Sequence, residues 1–105
     1  MHDCSVASGD LYYLSHLTPW ILSALGTYGV LFVTLDEGST SAGCCTVAKG
    51  GHIATIVAGP AVSAPVGGSV PNDLYSILGT IESVWDLPPL RNAGCECTES
   101  MTVFV

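Results

Sequence analysis

Only two segments of this chain read as buried strands. Gly29–Leu35 (GVLFVTL) and Ile53–Ala58 (IATIVA) are runs of continuous apolar character, the kind that parallel sheets show when both faces are covered. Two lone strands make a poor sheet, because about three are needed for independent stability. The chain has 105 residues, nearly half of them hydrophobic and only 10% charged. That length fits one domain at most, or a part of a larger one. So apolar a small chain implies faces that further protein is meant to cover. The open strand edges imply self-association of the isolated chain.

The elements around these strands are helical. Leu11, Leu14, Leu17, Ile21 and Leu25 recur at helical spacing, with Ser8 as the cap and Pro19 expected to kink or split the helix. Gly26 and Gly29 bracket a turn. Gly38–Gly51 reads as a long loop, and Gly59–Asn72 is a second turn-rich connection. Leu74, Ile77, Leu78, Ile81 and Val84 mark one face of a helix from about Asp73 to Val84, with Asn72 or Asp73 as its N-cap. Pro88 and Pro89 end this part of the chain. The order helix, strand, loop, strand, helix predicts an α/β layering.

Nine acids stand against two bases, Lys49 and Arg91, for a net charge of −7. Nucleic acid needs a basic footprint, so that partner class is excluded, as is an anionic membrane surface. No stretch reaches the roughly 18 continuous apolar residues of a membrane span. No basic-plus-apolar signal peptide opens the sequence. Five cysteines, Cys4, Cys44, Cys45, Cys95 and Cys97, point to an oxidising compartment and leave one thiol over. The parent protein is therefore expected to be secreted or held in the cell envelope. The cysteine spacings, a neighbouring pair and a one-residue gap, do not match the two- to four-residue gaps of structural zinc sites. Disulfides fit them better. Neighbouring cysteines seldom bridge each other, so Cys44 and Cys45 are each expected to find a distant partner among Cys95, Cys97 and Cys4.

The first strand stops at Asp36, Glu37 and Gly38. Burying a charge is costly unless something pairs with it. In open α/β sheets, sites lie beyond the C-terminal ends of strands. Two carboxylates there suit a hard or borderline divalent cation. They also suit a solvated turn, for which Asp and Gly are ordinary residues. His52 follows two glycines at the mouth of the second strand. It has the chemistry to bind a metal as imidazole, or to donate to a phosphoryl oxygen as imidazolium. It equally suits a histidine hydrogen-bonded to backbone. His2 and Asp3 form a weaker carboxylate–histidine pair, and His16 reads as a surface residue. No serine sits in a nucleophile elbow or before a phosphate loop.

VLFVTLDEG, then GGHIATIVAGP after a glycine- and cysteine-bearing loop, then LYSILGTIESVWDLPPLRNAG, resembles the C-terminal part of the phosphoesterase family. That family holds acid phosphatases and phospholipase C-type enzymes of the alkaline-phosphatase-like superfamily. HDCSVASGD resembles a segment just upstream. The resemblance spans nearly the whole chain, 1–105. It implies the C-terminal portion of an α/β/α sandwich, an incomplete domain with two or more strands flanked by helices. It also implies a metal-dependent phosphate ester hydrolase, with a phosphate ester as substrate of the full-length parent. Asp36 and Glu37 take the role of metal ligands, for a divalent ion of unspecified identity. His52, and more weakly His2 with Asp3, lie near the catalytic centre by the same carry-over.

The family's N-terminal half supplies a Glu-Asn metal motif and a Ser or Thr nucleophile, and neither motif is present. Leu74 stands where the family commonly has His, and Gly79 where it has Arg. Met1 falls inside the series of motifs, as an internal start would. The expectation is a fragment with little or no hydrolase activity alone. The alternative is a non-catalytic, disulfide-stapled small domain that binds a cation or a partner protein.

Overall fold

The computed structural model describes residues 4–44, 46–62 and 70–102. His2, Asp3 and Cys45 lie outside these residues. The described chain is a mixed helix-and-strand structure. Its elements are α1 (Val6–Tyr12), a π-helical segment (Tyr13–Leu17), α2 (Thr18–Ala24), β1 (Leu31–Thr34), β2 (Gly43–Cys44), β3 (Ala48–Lys49), β4 (Thr55–Ala58), α3 (Leu74–Val84) and a 3-10 turn (Arg91–Gly94).

The first helical stretch is divided, as its proline requires. Pro19 sits in the first turn of α2, where its missing N–H costs least. The π-helical segment directly precedes it, absorbing the break. The cap is Ser5, three residues ahead of the expected Ser8: Ser5 Oγ accepts from Ser8 N–H at 3.1 Å. His16 is exposed and stacks on Tyr12, with ring centroids 5.2 Å apart. Gly29 N–H donates to Gly26 O at 2.7 Å, closing the turn before β1.

The strands pair in the opposite sense to the expected one. β1 and β4 run antiparallel, with Leu31 opposite Ala58 and Thr34 opposite Thr55. The Thr34 and Thr55 hydroxyls meet at 2.8 Å. A parallel pair needs a crossover of a dozen or more residues, usually a helix. The segment between these strands is rich in glycine and serine and carries no helical pattern. Instead of one open loop it folds part of itself into a second antiparallel pair, β2–β3, with Gly43 opposite Lys49 and Cys44 opposite Ala48.

Helix α3 begins as its sequence requires. Asp73 caps it in a capping box: Asp73 Oδ1 accepts from Ser76 N–H at 3.0 Å, and Asp73 N–H donates to Ser76 Oγ at 3.0 Å. The buried side of α3 is not its apolar face, however. Ser76, Thr80 and Glu82 are buried, while Leu74, Ile81 and Val84 are exposed. Thr80 Oγ1 donates to Ser76 O at 2.6 Å and accepts from Met101 N–H at 2.7 Å. This exchange ties α3 to the segment after the 3-10 turn, against Ala93 and Met101, the buried apolar residues among those described. Small hydroxyl side chains let the backbones approach closely here, and each finds its hydrogen bonds locally.

The cysteines also differ from the expected pattern. Cys95 and Cys97 bond to each other, Cys4 is exposed and free, and Cys44 is disulfide-bonded. Cys95 and Cys97 therefore do not serve as distant partners for the Cys44–Cys45 pair. Their Cα atoms lie 5.0 Å apart across one residue, well inside the range a disulfide spans.

Candidate functional site

The antiparallel pairing decides where the candidate residues meet. In an antiparallel pair the C-terminal end of β1 lies beside the N-terminal end of β4. Asp36 and Glu37, just past β1, thus share one end of the sheet with His52, just before β4. Leu35 N–H donates to Ala54 O at 3.3 Å, carrying the pairing past the strand ends towards them. A parallel arrangement would have put His52 at the far end of the sheet.

Two glycines then close the site. Gly38 N–H donates to Gly50 O at 2.5 Å. The Gly38 Cα lies so near His52 that a Cβ there would stand 2.8 Å from His52 O and 2.9 Å from His52 N. Gly51, at φ 84°, donates its N–H to Ala42 O at 2.9 Å and leaves no room for a Cβ beside Thr40 O. The glycine after the acids and the glycines before His52 are therefore one device. They let two backbone segments touch and hold the Asp36–Gly38 segment against His52.

Asp36, Glu37 and His52 line a single cavity of about 830 Å³. Its other walls are the β2–β3 hairpin, including Lys49, and the start of α3 at Asp73 and Tyr75. Asp36 and Glu37 are exposed, and Glu37 N–H donates to Asp36 Oδ1 at 3.1 Å. His52 is exposed as well. Two lining residues are absent from the candidates named from sequence. Lys49 brings one of the chain's two cationic side chains to the same cavity. Its rarity was the available signal. Asp73 is recognisable from sequence only as a helix cap. Its Oδ1 is engaged in the capping box, but its Oδ2 is buried with no hydrogen-bond partner.

The donor types match a hard divalent cation, which takes carboxylate oxygens. The donor number is smaller than such an ion needs. Among the described residues no three His, Cys, Asp or Glu side chains gather closely enough to hold a metal. Asp36 and Glu37 are the two adjacent carboxylates at this end of the sheet.

Comparison of the chain with protein-family models, with curated proteins and with solved structures finds no match.

Proposed function

We propose that this chain is the C-terminal portion of a metal-dependent phosphoesterase, built on part of an alkaline-phosphatase-like α/β/α sandwich. The observation that carries the reading is the meeting of Asp36, Glu37 and His52 on one cavity, with Lys49 beside them. These are the residues of the DEG and GGH motifs that resemble the phosphoesterase family. When bound, a divalent ion supplies electrostatic stabilisation to a phosphoryl group undergoing substitution. Asp36 and Glu37 hold it from one side, and the remaining ligands and the nucleophile come from protein outside this chain. Lys49 offers a positive charge to a phosphate ester, and His52 a hydrogen-bond donor. The parent enzyme is a secreted or envelope protein.

The test is calorimetric titration of the oxidised chain with Mn²⁺, Ca²⁺ and Zn²⁺. Weak binding is expected, lost in Asp36→Ala/Glu37→Ala. Binding undiminished in the double variant would remove the metal from this end of the sheet. The isolated chain is expected not to turn over an aryl phosphate. Turnover abolished by Asp36→Ala would show that the chain is not a catalytically incomplete portion.

A further inference from the structure

The Cys95–Cys97 disulfide joins no two elements. Only Glu96 lies between its cysteines. A cross-link this short restricts the unfolded chain very little, because entropic stabilisation grows with the number of residues enclosed. Nor does the bond hold the local turn together. Thr98 N–H donates to Cys95 O at 2.9 Å, Cys95 N–H to Asn92 O at 3.2 Å, and the Thr98 hydroxyl to Asn92 O at 2.7 Å. The turn is closed by its own hydrogen bonds, with the disulfide laid across it.

Two further features bear on its chemistry. Both cysteines are half-buried and flank the exposed Glu96, so neither is sealed in a core. The Cys97 N–H also donates to Cys95 Sγ at 3.2 Å. A backbone donor at a sulfur favours its negatively charged form. In thiol–disulfide exchange the sulfur that better bears negative charge leaves faster.

We propose that Cys95–Cys97 is a reversible redox site that exchanges with low-molecular-weight thiols, with Cys97 the sulfur attacked and Cys95 the leaving thiolate. An incoming thiolate bonds to Cys97 Sγ as the Cys95–Cys97 bond breaks. The electron pair passes to Cys95 Sγ, next to the Cys97 N–H. A second thiolate attacks the outer sulfur of the mixed disulfide and releases the Cys97 thiolate. One protein disulfide is reduced to two thiols, two small thiols are oxidised to one disulfide, and the protons of the small thiols end on the two cysteines. The same steps reversed re-form the bond. Glu96, inside the turn, disfavours anionic thiols, so cationic cysteamine reacts faster than anionic glutathione.

The experiment uses the full chain with Cys4→Ser, which removes the exposed free thiol. The native protein is incubated in cysteamine/cystamine mixtures, quenched in acid and alkylated, and the modified cysteines are located by mass spectrometry. Cys95 and Cys97 are expected to become reduced together, with an unchanged far-ultraviolet circular dichroism spectrum and a transient cysteamine adduct on Cys97. Since exchange does not wait for unfolding, mild denaturant is expected to change its rate less than about threefold. Reduction that occurs only as the chain unfolds, accelerating more than about tenfold with denaturant, would overturn the proposal. An adduct found on Cys95 as often as on Cys97 would overturn the assignment of the leaving sulfur.

Discussion

At Gly38 the backbone passes so close to His52 that any side chain must displace it. Gly38→Ala places a Cβ against the His52 carbonyl and amide, both of them backbone and unable to rotate away. Such overpacking costs about 1–3 kcal/mol. The hydrogen bond from Gly38 N–H to Gly50 O would lengthen at the same time. Chemical denaturation is expected to show that loss. On the proposed reading, in which Asp36 and Glu37 hold a cation, calorimetry on the same variant should also show weaker binding, because these residues move off the sheet end. A variant that keeps full stability would mean that the two segments do not touch. The same logic bears on the opening of the DEG segment. Asp36 Oδ1 accepts from the next N–H in the chain, a local turn bond that leaves the rest of its carboxylate available.

Among the elements, α3 is where sequence and structure agree best. Its range, its Asp73 cap and its end near Val84 all follow from apolar spacing and capping chemistry. Which face it buries does not. Apolar spacing marks the face that prefers cover, but Ser76, Thr80 and Gly79 mark the face narrow enough for the 3-10 turn to approach. A Cβ on Gly79 would stand 3.2 Å from Ala93 O. Gly79→Leu is therefore expected to lower stability by about 1–3 kcal/mol, despite the better helix propensity of leucine. Thermal or urea unfolding would reveal it, and a stabilised variant would show that the turn yields freely. Strand direction was equally hidden. A run such as LFVT carries no sign of its partner's sense. That information lay in the connection, whose glycine- and serine-rich composition offers no crossover helix. The acids and His52 were legible as candidates one by one. Their meeting was not, because it depends on that direction.

For the whole molecule, the surface is the dominant fact. Among the described residues, Ala93 and Met101 are the buried hydrophobic side chains, while large apolar residues from α1 to Leu90 lie exposed. Trp20 is 78% exposed and Trp85 71%. Many other large apolar side chains are exposed among the described residues, and exposed apolar surface of this extent invites association. Sedimentation or light scattering at rising concentration should therefore show association, along with strong binding of a hydrophobic dye to the dilute chain. A monodisperse monomer that excludes the dye would mean that these faces close on themselves in solution. The cavity adds a thermodynamic link of its own. Asp73 both caps α3 and lines that cavity, so whatever enters it acts on the helix end. A guest that favours Asp73 in its capping geometry would hold down the first turn of α3, and the helix's own tendency to fray would set part of that guest's affinity.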